Sequence, residues 1–307
     1  SREHVSIEQY IDDYFWVFLI LGMVLGFVFP DQALVLDRYV IVFVMMLLYV
    51  VFLKIDMDSV IGHIRKPLLL IYLLVCNLLV IPAFVYFFTA SLDPEIRIGI
   101  VLLACLPSGT AAPALTEIVR GKTSLTLVLT ILSSILAPLT ITALFYAFYR
   151  TAIPLDYGRL FLGLVAFTLV PLLLAQGSKR LFEGGIARCK RYLNAVSMLI
   201  MVVIIMVVIG REANYIRSHI GSIIHILVIL YLVFFAFQVI GYFQAFWLKR
   251  EERIAVSVSK MAMNNVLGIV IALSYFTPQV ALVLVLSEIP WNTMPILYSL
   301  LRGRRSG

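Results

Sequence analysis

Long apolar runs separated by short polar breaks recur along the whole chain. They cover 14–30, 39–54, 67–90, 95–120, 123–149, 159–180, 193–210, 221–247, 251–275 and 279–301. Most are apolar on every side, so each predicts a helix enclosed in apolar surroundings rather than one face of a soluble core. Length then decides what surrounds them. A helix crossing hydrocarbon takes about 20 residues, more than a strand or a short core helix needs. The pattern predicts an all-α polytopic membrane protein with ten transmembrane helices. No connection is long enough to mark a separate linker-bounded domain.

Composition agrees with the pattern. Of 307 residues, 62% are hydrophobic and 13% charged, with mean hydropathy +1.04. A soluble domain carries about 25% charged residues. A soluble globular enzyme, a disordered chain and a collagen are excluded, and the lipid bilayer is the first partner implied. Cys76, Cys105 and Cys189 lack metal-ligand spacing and read as free thiols. The net charge of +7 reads as basic loops that fix orientation, with no nucleic-acid partner. Residues 1–13 carry Glu3, Glu8, Asp12 and Asp13, which is not the basic start of a signal peptide.

Sorting the basic residues by the side on which they fall gives the expected topology. Seventeen lie on the side of the N-terminus, from Arg2 through Lys54, Lys122, Arg188 and Arg253 to Arg305. Six lie on the other side: Arg38, Arg97, Arg150, Arg159, Arg211 and Arg217. The positive-inside rule makes the first side cytoplasmic, with both termini inside and the protein in the plasma (inner) membrane.

One cation belongs to no loop. Lys260 sits in the middle of the ninth run, where a charge costs about 2.5–3.5 kcal/mol even on the lenient insertion scale. It must face protein or a water-filled cavity. Glu288, in the tenth run, is its candidate partner. Glu117, near the end of the fourth, reads either as lining a vestibule or as pairing with Arg120 or Lys122.

Two segments resemble each other. Residues 95–100 (EIRIGI) and 251–256 (EERIAV) each open a run that is then interrupted, by LPSGTAAP at 106–113 and by KMAMNNVLG at 260–268. Five spans separate them, so the halves, 1–157 and 158–307, would be inverted five-helix repeats. Pro107 and Pro113 cannot continue a helix, and Asn264 and Asn265 disfavour its interior. Backbone freed in this way is tolerated only beside protein or a cavity. Half-helix N-termini there offer partial positive charge to an anion, the arrangement of inverted-repeat secondary transporters. The plainer reading is two proline-type kinks without a site. The candidate crossover residues are Ser108, Gly109, Thr110, Pro113, Asn264 and Asn265, joined by Asn77, Gln238 and Asn292. Asn77 and Gln238 either line the site or only bond helices together. A Trp291–Asn292 pair facing substrate competes with simple packing of the Trp.

These residues resemble the bile acid:sodium symporter superfamily, which also includes arsenite efflux proteins. LPSGTAAPALTEIVRGK (106–122) is similar to the family's Cys-Pro-Gly-Gly-Thr-Ala stretch, which ends in Arg-Gly. Asn77 precedes Pro82 by five, where members often carry Gln before Pro, and Asn264–Asn265 is similar to the family's Gln-Asn segment. The resemblance implies a panel of helices 1, 2, 6 and 7 and a core of helices 3–5 and 8–10. It also implies that helices four and nine cross at the site, with elevator-like alternating access for a small organic anion. It implies no organic cofactor and no metal site, with sodium or a proton as coupling ion, in a monomer or weak homodimer.

The departures from the family are as specific as the match. A Ser-Asn pair at its sodium sites is replaced here by Ala112 and Pro113, and its ninth-helix Glu falls in SVSKMAMNN, which has no carboxylate. Hydroxyls remain at Thr126, Thr130 and Ser259. Lys260 lies where the ion would be, so a tethered ammonium substitutes for sodium and can release a proton during the cycle. The alternatives are a permanent Lys260–Glu288 ion pair that only locks helices, a sodium symporter using the remaining hydroxyls, and an arsenite efflux protein. The last is suggested by the EIP sequence at 288–290, although that branch places a Cys right after the broken-helix Pro, where Ser108 stands here and Cys105 comes two before that Pro. An intramembrane enzyme lacks any HExxH or paired-aspartate signature, and a channel is separated from a transporter by saturable, gradient-driven uptake.

Overall fold

The structure, a computed structural model, describes residues 15–53, 67–182 and 192–300, and their side chains at 17–53, 67–182 and 192–294. The acidic N-terminal stretch, Cys189 and the basic residues at 54–66, 183–191 and 301–307 lie outside the described residues. Within them helices occupy every apolar run, and the only strand-like pairing is an isolated antiparallel bridge between Ser108 and Met263. Five helices are long and apolar enough to cross a membrane, at Pro67–Phe88, Thr123–Tyr149, Tyr157–Leu181, Leu193–Arg211 and Ile220–Phe243. The chain divides into two compact units.

One unit comprises residues 1–55 and 166–220. Its helices are α1 (Phe15–Val28), α2 (Pro30–Val35), α3 (Val40–Leu53), the later part of α8 (Tyr157–Leu181), α9 (Leu193–Arg211) and α10 (Ala213–Ser218). Pro30 has no N–H, so α1 stops before it and α2 starts on it. Helix α9 packs against α1, α2 and α3. The approach of α1 is close: a Cβ at Gly26 would lie 2.3 Å from the carbonyl oxygen of Met206. Val44, Leu48, Ile204, Ile205 and Val207 fill the interior. Arg211 pairs with Asp37, and Tyr49 donates to Ser178 Oγ at 2.9 Å.

The other unit comprises residues 56–165 and 221–307. Helix α4 (Pro67–Phe88) contains a widened π-turn at Cys76–Val80. Its cause is Pro82, whose ring would collide with the carbonyl four residues back. The fourth run is split into α5 (Pro94–Cys105) and α6 (Ala112–Ile118), and the ninth into α12 (Arg250–Met261) and α13 (Asn265–Tyr275). Helix α7 (Thr123–Tyr149) packs on α5, α6 and α12, while α11 (Ile220–Phe243) carries the eighth run. The tenth run also divides, at Ser287, into α14 (Pro278–Leu286) and α15 (Glu288–Leu300). The mark in the sequence is Pro290, in the first turn of α15, which leaves the carbonyl four residues back without a donor; the apolar run nonetheless reads as one helix. The fully buried Ile100, Leu102, Leu103, Val270, Ile271, Leu284 and Val285 form a dry core behind the two interrupted helices.

Candidate functional site

The two interruptions meet. Gly109 N–H donates to the Ala262 carbonyl at 2.7 Å, and Asn264 N–H donates to the Pro107 carbonyl at 2.8 Å. The short ladder is there because both segments have left helical geometry and their backbone groups need partners in a water-poor interior. Glycine is required at 109: a Cβ there would lie 2.8 Å from the Met263 carbonyl oxygen and 3.0 Å from that of Ala262. The indole Nε1 of Trp291 donates to the Met263 carbonyl at 3.0 Å, so this Trp buttresses the crossing.

Helix breaks leave orphan carbonyls, and two of them face Lys260. The Asn77 carbonyl sits in the π-turn. The Ile81 N–H that would meet it in an α-helix goes to Cys76 O instead, and its π-partner would be Pro82, which has no N–H. The Ala104 carbonyl is orphaned in the same manner. Pro107 has no donor, and the Ser108 N–H leaves the helix for Ser133 Oγ at 3.1 Å. The Lys260 ammonium donates to both, at 2.9 Å to Asn77 O and 2.6 Å to Ala104 O. It also lies 5.1 Å from the centre of the Phe237 ring, a favourable cation–π distance. Lys260 is 3% exposed. A small cavity beside it is lined by Asn77, Leu106, Ser108, Ser133, Ser259 and Lys260.

The expected Lys260–Glu288 pair is not formed. Two carbonyls already take up the ammonium, and Glu288 is buried elsewhere at the start of α15. The Asn292 side-chain amide, also on α15, donates to the Glu288 backbone carbonyl at 2.7 Å. Glu117 is exposed, and Lys122 pairs with Glu252 at 2.8 Å rather than with it. That pair lies where the Lys122 backbone N–H also meets the Glu251 carbonyl, after the left-handed turn at Arg120.

Thr126 and Thr130 on α7 pair with hydroxyls of the fourth run. Thr130 Oγ1 lies 3.0 Å from Ser108 Oγ, and Thr126 Oγ1 lies 2.9 Å from Thr116 Oγ1. Ser259 Oγ is buried without a partner and borders the cavity. Thr110 and Pro113 lie on the turn and the start of α6 beyond the crossing. Asn264 does not offer an open helix N-terminus: its Oδ1 accepts from Leu267 N–H at 3.1 Å and caps α13 itself. Asn265 Nδ2 reaches Ser287 Oγ at 3.1 Å. Gln238 is not joined to Asn77. The Asn77 side chain instead accepts from Gln244 Nε2 at 3.0 Å, while the Gln238 carbonyl accepts from Ser257.

Sequence reasoning missed Ser133, Thr116 and Gln244. Ser133 had a usable signal, a hydroxyl three positions after Thr130 and so on nearly the same helix face. The two carbonyls that hold Lys260 had an indirect signal, the prolines that orphan them. Cys76 and Cys105 are free thiols as expected, and Cys105 is fully buried. Among the described residues no group of three His, Cys, Asp or Glu side chains could hold a metal ion.

The chain is similar in sequence to known proteins. The model of the sodium bile acid symporter family matches residues 40–219. The chain is 27% identical over 282 residues to YocS of Bacillus subtilis (strain 168), described as an uncharacterized sodium-dependent transporter. That match covers 89% of this chain and 85% of YocS. It is 22% identical over 275 residues to the chloroplastic BASS1 of Arabidopsis thaliana, described as a probable sodium/metabolite cotransporter, covering 88% of this chain and 68% of that protein. A rice (Oryza sativa subsp. japonica) BASS2 of the same description is 21% identical over 286 residues, covering 90% and 67%.

Proposed function

The chain belongs to the sodium bile acid symporter family, and we propose that it carries a small organic anion across the membrane by alternating access. It is an integral membrane transporter rather than an enzyme. In this reading ten spans form two inverted repeats, both termini are cytoplasmic in the inner membrane, and the protein acts as a monomer or weak homodimer. Two features support the repeat. Lys260 and Ala104 are 156 residues apart, the same offset that relates EIRIGI to EERIAV. The pairings Pro107–Asn264 and Ser108–Met263 exchange with each other under that offset. The compact units group the runs much as the family resemblance assigns them to panel and core, except that the start of the sixth run, 159–165, falls with the core runs.

Lys260 takes the place of a coupling sodium ion. The observation that carries this is its ammonium on two orphaned carbonyls, the kind of oxygen a sodium ion would use. A fixed positive charge beside the crossing attracts an anion without recruiting a cation from solution. The test is uptake of radiolabelled taurocholate, pantoate and pyruvate into proteoliposomes, with sodium replaced by choline. Saturable uptake without sodium, lost in Lys260→Met, is expected. Uptake that requires sodium and persists in Lys260→Met would instead assign coupling to the hydroxyls of Thr116, Thr126 and Thr130, as in a sodium symporter.

A further inference from the structure

Glu288 is the buried charge that the crossing does not use. Its side chain is 2% exposed at the point where the tenth run divides. Oε1 is buried with no hydrogen-bond partner. Oε2 has a long contact of 3.4 Å from Asn292 Nδ2. The Asn265 amide lies beside the carboxyl, yet Asn265 Oδ1 is itself buried without a partner.

No cation faces this carboxyl from the described residues packed around it. Helix α14 carries no titratable side chain. On α12 the Lys260 ammonium is held by Asn77 and Ala104. The only titratable group on α13 is Tyr275, at its far end, where it donates to the Arg159 carbonyl. From α11, Tyr231 meets α15 through Thr293 at 2.8 Å. An ionised carboxylate here would be buried with neither a cation nor a full set of donors, which is strongly unfavourable. The start of α15 gives it a helix dipole, but that effect is smaller than the burial cost.

From this geometry we propose that Glu288 is a proton-binding site, taking up one proton on its carboxyl in this conformation and releasing it during transport. The proposal rests on the transporter reading above and adds a coupling ion to it. A proton needs one oxygen, and Glu288 Oε1 supplies it by forming an O–H bond. A sodium ion needs several oxygens, whereas only two buried side-chain oxygens are left unpaired here, Glu288 Oε1 and Asn265 Oδ1. The site is tied to the crossing through both neighbours. Asn265 opens α13, and Trp291, one turn along α15, donates to Met263. A change at the crossing therefore changes what surrounds the carboxyl.

Infrared spectroscopy of the full chain in liposomes at neutral pH tests protonation without any substrate. The expected result is a protonated-carboxyl carbonyl band that shifts in deuterium oxide and is absent from Glu288→Gln, a variant of nearly the same shape. Identical spectra for the two proteins overturn the proposal. A band that sodium removes at constant pH overturns it too, by giving the site to sodium. Coupling is read with the three radiolabelled anions under an imposed pH gradient. Stimulation by an inward acid gradient should be lost completely in Glu288→Gln, and its retention overturns the coupling role. If none of the anions is carried by the wild type, the transporter reading fails while the infrared result still decides protonation.

Discussion

The ammonium of Lys260 lies 2.6 Å from the carbonyl oxygen of Ala104, a residue 156 positions earlier in the chain. Deleting the donor while keeping the stem, as in Lys260→Met, strands this carbonyl and that of Asn77. An orphaned buried polar group costs about 1–3 kcal/mol, partly offset because no charge is then buried. A lower melting temperature in detergent is expected, together with loss of sodium-free uptake. Undiminished uptake from choline buffer would sink the ionic role of Lys260.

Gly109 is required by the close approach of the two broken segments. In Gly109→Ala the new Cβ would press on the Met263 and Ala262 carbonyls. Overpacking of this kind costs about 1–3 kcal/mol. A depressed melting temperature and reduced uptake are expected. Full activity at wild-type stability would show that the crossing opens easily.

Ser133 and Ser134 are adjacent, yet their removal should differ. Ser133 Oγ accepts the Ser108 N–H, whereas Ser134 Oγ only donates back to the Thr130 carbonyl at 2.7 Å. Ser133→Ala leaves a buried donor unpaired, at about 1–3 kcal/mol. Ser134→Ala leaves only a carbonyl that has other partners. Thermal unfolding of the two variants side by side checks the difference, and equal losses would contradict it.

Asn264 caps α13. Removing an N-cap costs about 0.5–2 kcal/mol, so Asn264→Ala should melt earlier than wild type. Asn264→Asp should recover much of the loss, because its oxygen accepts the same Leu267 N–H. No recovery in the Asp variant would locate the importance of Asn264 elsewhere.

The Lys122–Glu252 pair is half solvated on the lysine side, with the Lys122 side chain 45% exposed. Exposed pairs contribute about 1 kcal/mol or less. A double-mutant cycle on Lys122→Met and Glu252→Gln, read by detergent unfolding and repeated at high salt, should give a small coupling that salt weakens. A large, salt-insensitive coupling would mean that the pair is locked by its surroundings.

Much of the fold was legible because hydrocarbon imposes simple rules. The apolar runs became helices because a backbone in lipid must satisfy itself. Pro107 and the Asn264–Asn265 pair marked the two interruptions for the same reason, since each removes or competes with a helical hydrogen bond. The division at Ser287 was not read from the sequence, although Pro290 lies in the first turn of the helix that follows it. That Asn77 meets Gln244, just beyond α11, was not legible either, because α11 is apolar nearly all round and such a helix does not announce which face it buries.

The sequence by itself determined that this is a membrane protein, where two of its helices break, and that Lys260 must be sheltered. An unaccompanied charge deep in an apolar run allows nothing else. Only the tertiary structure decided what shelters it. The obvious candidate was the other buried charge, Glu288, but the ammonium chose two backbone carbonyls that prolines had left without donors. Every residue has a carbonyl, so a carbonyl carries no signature in the sequence. It becomes a ligand only where the chain around it withdraws the N–H that would have met it.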